Sequence, residues 1–326
     1  MSGASVRKLP ANKMAYNSNA VNLTDLQMNV KVVSILPMYQ TIAALLIVVV
    51  VVGFIGNFLV AVTILKNKRI YMPVYAFLMQ VATLNALFQA FVVPVNIYSL
   101  FHTLWIPGAA LCHVMMYATY MLLCISGLLL MLVSVYRYIF LCHNNIYLRI
   151  KDPKVVTACC VVVWVEIIVL ISVFGKKAFF SSEYFTCVLE GAHLQTVLLI
   201  SVYLPMTLIP VAMYIKIAIF VWNAKRRVQP QGNTSSRNYT ESNKLTRTTA
   251  LISLNHIVTG VLPGVLFSVI SDDLTMRRTL ITIAHFLYRL TAVFDVLLFI
   301  FSTRTIMSMI ITMFRSLRPQ VIPRDS

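Results

Sequence analysis

The sequence predicts an all-α integral membrane protein, a seven-transmembrane helix bundle followed by a short interfacial C-terminal helix. Three observations carry this. Of 326 residues, 59% are hydrophobic and only 11% charged, whereas soluble domains run at about 25% charged. Mean hydropathy is +0.83. Seven apolar runs bounded by charges or turn residues each supply the roughly 20 residues needed to cross a hydrocarbon core of about 30 Å.

The first run, 36–65, follows a segment, 1–35, with no apolar core and small-residue cleavage site, so no signal peptide is evident and this helix is expected to act as its own insertion signal. The second and third, 73–101 and 109–141, flank a short loop containing Trp105 and Gly108. The fourth, 154–175, stops before Lys176 and Lys177; the fifth, 194–222, ends ahead of Lys225-Arg226-Arg227; the sixth, 247–271, runs into Asp272 and Asp273; the seventh, 279–302, lies between Arg278 and Arg304. Beyond it, Ile306, Met309, Ile310, Met313, Phe314 and Leu317 recur at spacings of three and four among Arg304, Arg315 and Arg318, the pattern of a helix lying in the membrane interface. The chain thus divides into an N-terminal segment 1–35, a membrane domain 36–302 and a tail 303–326.

A net charge of +17 would raise nucleic acid as a partner for a soluble protein. Here the basic residues are interrupted by membrane-length apolar runs, which argues against nucleic acid and makes membrane lipid headgroups the fitting anionic neighbours. One set of connections, with Lys66, Lys68, Arg69, Lys225, Arg226, Arg227, Lys244 and Arg247 among its residues, holds twice the Lys and Arg of the other, which includes Lys31, Lys176, Lys177, Arg277 and Arg278. By the positive-inside rule the N-terminus is extracellular and the C-terminus cytosolic.

Only Cys112 and Cys187, of six cysteines, fall on the oxidising outer side, so one bridge between them is expected, tying the second outer loop to the top of the third helix. Of three glycosylation sequons, only the one at Asn22 is outside; those at Asn233 and Asn238 lie in the cytosolic third loop and should stay bare.

Motif spacing narrows the class. Gly56-Asn57-Phe58-Leu59-Val60 in the first helix, Trp105 seven residues before Cys112, Arg137 in Tyr136-Arg137-Tyr138 placed 25 residues beyond that cysteine, Trp164, Pro205 with Tyr214, and Pro263 occur in order along 36–317. Jointly they resemble the rhodopsin-like G protein-coupled receptors. The resemblance implies a multi-pass plasma-membrane receptor, not an enzyme, that transduces an extracellular small-molecule or short-peptide signal to a heterotrimeric G protein. It also implies that Arg137, its neighbours Tyr136 and Tyr138, and Tyr214 serve G protein coupling.

The departures cluster where that family keeps its switch. Tyr136 replaces the acid that would pair with Arg137, removing a charge-assisted bond of roughly 1.5–3 kcal/mol. Gly260-Val261-Leu262-Pro263 stands where Cys-Trp-x-Pro is usual, and Asp295-Val296-Leu297-Leu298-Phe299 where Asn/Asp-Pro-x-x-Tyr is usual. Tyr214 lies one residue farther from Pro205 than in relatives. Asn85 occupies the place of a buried Asp, while Asp295 supplies the carboxylate from the seventh helix. An ionised carboxylate in lipid is costly, so Asp295 is expected to face inward with Asn57, Asn85 and Ser126 as partners, or to be protonated. The resemblance makes this an allosteric sodium or proton site; the alternative is a polar cluster that tethers helices. No other metal is implied.

Arg289 stands six positions before Asp295, where opsins carry the lysine that binds retinal; a guanidinium does not form that Schiff base, so retinal is disfavoured and no other cofactor is expected. Thr119 stands seven past Cys112, where amine receptors have an aspartate. The candidate ligand site is Arg289 with His285, Tyr288, Thr119 and Tyr120. A buried cation wants an anion, from a ligand or from inside, and Glu166 is the acid nearest in level. Two further readings stay open: a receptor fold that no longer couples, as a decoy or a constitutively active partner, and a seven-helix transporter or channel.

Overall fold

The computed structural model describes residues 23–67, 73–102, 108–175, 178–181, 186–189, 197–227, 233–261, 274–302 and 304–316. Its elements are α1 (Leu23–Lys66), α2 (Pro73–Leu87), α3 (Val93–His102), α4 (Ala109–Cys142), α5 (Asn144–Ile150), α6 (Pro153–Phe174), β1 (Ala178–Ser181), β2 (Thr186–Leu189), α7 (Leu204–Arg227), α8 (Asn233–His256), α9 (Leu274–Ser302) and α10 (Arg304–Ser316). Helices α2 and α3 form one span, Pro73–Phe101, and four more helices are long and apolar enough to cross a membrane: Gln40–Lys66, Ala109–Cys142, Pro153–Phe174 and Leu199–Asn223.

Two helices start earlier than their apolar runs. α1 begins at Leu23 rather than 36, and α8 at Asn233 rather than 247. Hydropathy marks the part that lies in lipid, and helical hydrogen bonding continues past that edge, in α1 even across Pro37. The other departure from an all-helical chain is a small antiparallel hairpin, β1 with β2, in which Phe180 faces Cys187.

Among the described residues, three wide π-turns interrupt the helical path at Phe88–Val92, Leu199–Tyr203 and Ile257–Val261. Each ends two residues before a proline: Pro94, Pro205 and Pro263. A proline has no N–H to donate, and its ring crowds the carbonyl four residues back. For Pro94 and Pro205 that carbonyl, of Ala90 or Ser201, belongs to the middle residue of the π-turn, where the widened backbone makes room. The bonds shift to match: the N–H of Val93 donates to Phe88 and that of Leu204 to Leu199. Pro210, within α7, has no such turn.

The core is a continuous apolar stack through the bundle, including Phe77, Val81, Ile125, Leu129, Val133, Ile167, Ile252 and Val296. In α6 the buried face is Val156, Cys160, Val163, Ile167 and Ile171, at helical spacing, while Val161, Val165, Ile168 and Val169 are exposed. α1 likewise exposes Val48, Val51, Ile55 and Phe58. Such aliphatic stripes are stable against lipid chains. Gly56 permits a close approach of α1 to α9, since a Cβ there would come 2.8 Å from Val296 Cγ1. α10 turns off α9 at 91° and buries Ile306 and Ile310 while exposing Met307 and Ile311, one apolar face of the expected interfacial helix.

Candidate functional site

Asp295 sits in the last third of α9 and is 5% exposed. Its inward orientation is as expected; its partners differ. Oδ2 lies 2.8 Å from His256 Nε2 and accepts from Asn85 Nδ2 at 3.4 Å, and Oδ1 accepts from Asn255 Nδ2 at 2.9 Å. Asn255 also donates to the Thr291 carbonyl, and the hydroxyls of Thr259 and Thr291 are bonded to each other. Two expected partners lie elsewhere. Asn57 donates to the carbonyls of Gly53 and Ala292, bracing α1 against α9, and the Ser126 hydroxyl donates back to Leu122 and Leu123. Both side chains reach carbonyls closer than the carboxylate. The sixth helix therefore supplies what the first and third were expected to give.

Arg289 lies on the same helix and is 6% exposed, its Nε without a hydrogen-bond partner. Gln89, inside the first π-turn, donates from Nε2 to the Arg289 carbonyl at 3.2 Å, and its own Oε1 has no partner. Tyr288 packs its edge on Phe88 at 5.4 Å between centroids and lies beside Arg289 and Cys124. Tyr120 and Tyr203 border the same cysteine. Thr119 donates to the Met115 carbonyl at 2.7 Å. The side chain of His285 lies outside the described residues, as do Asn22 and Pro263. Glu166 is exposed on the lipid side of α6, one residue from the buried Ile167, and is no counter-ion for Arg289. Among the described residues, the one ion pair is His256 with Asp295.

The disulfide joins Cys112 of α4 to Cys187 of β2. Beside it, His113 Nε2 accepts from the Ala178 N–H at 3.0 Å, so the hairpin is fixed to the top of the third helix at two points. Gly108, with φ of 90°, turns the chain into that helix in a conformation that favours glycine.

At the opposite end of α4, Arg137 is 1% exposed, with Nε and Nη2 lacking hydrogen-bond partners. Its guanidinium lies 5.9 Å from the Phe140 ring centre, among Tyr75, Tyr147 and Tyr214. Tyr136 turns away: its hydroxyl donates to the Ile150 carbonyl at 3.2 Å and its ring packs on Phe77. The Tyr138 hydroxyl meets His143 Nε2 at 3.1 Å, and Lys216 lies over its ring. Tyr214 borders Thr249 and Ser253, which places it against the sixth helix.

The family model for the seven-transmembrane receptors of the rhodopsin family matches residues 56–298. The chain belongs to that family. It is a multi-pass membrane receptor by fold, in a family of receptors rather than enzymes. Its similarity to curated relatives is distant. It is 24% identical over 202 residues to the melatonin receptor type 1A of Gallus gallus, covering 60% of this chain and 56% of that one. It is 24% identical over 196 residues to the G-protein coupled receptor moody of Drosophila melanogaster, covering 57% and 29%. To the protein trapped in endoderm-1 of the same fly it is 24% identical over 194 residues, covering 57% and 50%. The matches span about half the length of these relatives, or less.

Four residues of the receptor's polar and aromatic sites were not anticipated: Gln89, Tyr203, Asn255 and His256. A signal for His256 exists. Thr249, Ser253, His256 and Thr259 recur at steps of four, three and three, one polar stripe on an otherwise lipid-bound helix.

Proposed function

We propose that the chain is a plasma-membrane receptor, N-terminus outside, that reads a small extracellular molecule through an anionic group held at Arg289 and signals to a heterotrimeric G protein through Arg137. The supporting observation is the buried guanidinium of Arg289, whose Nε lacks a partner while the acids of the bundle among the described residues are accounted for. Asp295 is engaged by His256 and Glu166 faces lipid. A desolvated cation favours a charge-assisted bond to an anion. Tyr120, Tyr203 and Tyr288 supply aromatic walls on the same side of the bundle, with Thr119 and His285 as candidate neighbours, and a short peptide ending in a carboxylate meets the same requirement.

A second reading has an observation of its own. Arg137 has no carboxylate partner among the described residues: the adjoining position is Tyr136, which carries no acid and donates its hydroxyl to Ile150 instead. A receptor without that lock is poised for basal activity, or for a role without coupling.

The test is G protein dissociation in cells expressing the wild type, Arg289→Gln and Arg137→Ala. The ligand panel contains carboxylates, phosphates, sulfates, short peptides and, because distant relatives carry its name, melatonin. An anionic agonist whose response is lost in Arg289→Gln and Arg137→Ala supports the proposal. A response confined to uncharged ligands, or retained in Arg289→Gln, overturns the anionic-ligand assignment. Absence of basal and evoked signal alike favours the non-coupling reading.

A further inference from the structure

His113 follows the bridged Cys112 at the start of the second turn of α4, and both of its ring nitrogens are engaged. Nδ1 lies 3.1 Å from the Ala109 carbonyl, one turn back on the same helix. Nε2 lies 3.0 Å from the amide nitrogen of Ala178, the first residue of β1. These two partners fix the protons on the ring. A carbonyl only accepts, so Nδ1 carries a hydrogen; a backbone N–H only donates, so Nε2 offers a bare lone pair. The ring is therefore held neutral, in one tautomer.

A proton arriving on Nε2 removes the acceptor. The Ala178 N–H, on a residue that is 4% exposed, then faces a second N–H and loses its partner where an unpaired amide is costly. The hairpin has two fastenings to the third membrane helix: the disulfide, from β2, and this bond, from β1. A disulfide does not titrate, whereas an imidazole ordinarily changes charge between about pH 5 and 8.

We propose that His113 is a proton-binding site on the outer face of the receptor. Neutral, it fastens β1 to the top of the third membrane helix; protonated, it releases β1 while Cys187 keeps β2 attached. The attachment of the second outer loop then follows the pH of the extracellular medium. That this medium is the extracellular one rests on the orientation proposed above.

The sign follows from the bonding. The fastening exists where the imidazole is neutral, and it is lost as pH falls through the imidazole range. Of the elements packed against the hairpin, α4 brings Tyr117, one turn beyond His113, and α3 brings Tyr98 and His102, the side chain of the latter lying outside the described residues. β1 and β2 carry no titrating side chain, because Cys187 is bridged, and the last turn of α6, 172–175, carries none. Lys176, Lys177, Glu183 and Glu190 of the same loop lie outside the described residues. Among all these groups the rival sensor in the imidazole range is His102.

The experiment is hydrogen exchange of the full chain in nanodiscs at three pH values from about 5.5 to 7.5. Results are expressed as protection factors, so that the intrinsic pH dependence of amide exchange is removed. Wild-type β1 is expected to lose protection about five-fold at the acid end, the scale of one backbone hydrogen bond, while α10 stays unchanged. His113→Gln has a side-chain carbonyl for Ala178 and an amide that does not titrate, and it is expected to stay protected throughout. His113→Lys, cationic over the whole range, is expected to be unprotected throughout. Wild-type β1 that is flat with pH overturns the proposal. So does an undiminished acid loss in His113→Gln, or an acid loss abolished by His102→Gln. Should neither His113 variant fold, the wild type against His102→Gln decides. Both faces of a nanodisc are wetted, so this result is independent of orientation, which labelling of the N-terminus by an impermeant reagent on intact cells tests separately.

Discussion

Tyr136 donates its hydroxyl to the carbonyl of Ile150 at 3.2 Å, which ties the third membrane helix to the end of the short helix α5. The position that carries an acid in most relatives is here a structural anchor for the adjoining loop. The neighbouring Tyr147 is buried, and desolvation raises its hydroxyl pKa above the ordinary value, against a lowering by Arg137.

Removing the hydroxyl while keeping the ring isolates that anchor. Tyr136→Phe preserves packing on Phe77, at 5.1 Å between centroids, and removes a bond worth about 1 kcal/mol. Amide hydrogen exchange across α5 is expected to accelerate roughly five-fold relative to wild type, the rate change that such an energy implies. Unchanged exchange in α5 would count against the anchor.

Restoring the acid tests the missing lock. Tyr136→Glu gives Arg137 a neighbouring carboxylate, a charge-assisted bond of about 1.5–3 kcal/mol that favours the resting arrangement. Agonist-independent G protein activation, normalised to surface expression, is expected to fall by about ten-fold or more on that energy. Equal basal output in both proteins would show that Arg137 is already restrained without an acid.

The contact between Gly56 and Val296 predicts a paired effect. Gly56→Ala places a methyl 2.8 Å from a branched side chain that has little freedom to move, an overpacking that costs about 1–3 kcal/mol. Thermal unfolding in detergent should show the loss, and Val296→Ala in the same chain should recover most of it. Without that recovery, the cost of the glycine change lies somewhere other than the α1–α9 contact.

Glu166 supplies a negative control for the ligand site. Because it faces lipid, Glu166→Leu should leave agonist potency within about two-fold of wild type, the scale of an ordinary surface substitution. A large shift in potency for an anionic agonist would reinstate Glu166 as a partner of Arg289.

Much of this was legible from spacing. Apolar runs set the spans, and an isolated Asp295 in such a run has to face inward because lipid offers its carboxylate nothing. The choice of partners was harder to read, since it depends on the rotational phase of each helix. Glu166 looked available by level, yet Val163, Ile167 and Ile171 define the buried face of α6 and turn it outward. For His256 the difficulty was greater. A regular helical phase carried back through Ile257–Val261 misplaces it around the helix, because that stretch is a π-turn. The disulfide needed no phase at all, only the side of the membrane, and Cys112 and Cys187 are joined in the fold.

The first π-turn, at Phe88–Val92, counts one residue more than an α-turn would, and Gln89 lies inside that count. Taking the extra residue out would rotate one half of the second membrane helix against the other by about 100°. Gln89 would swing off the Arg289 carbonyl, and its side chain would leave the space beside Gly53 that a Cβ there would enter. Pro94, which touches neither Arg289 nor Gly53 through any hydrogen bond of its own ring nitrogen, thus acts as a register pin: the absence of a single amide proton fixes the azimuth of a glutamine five residues upstream.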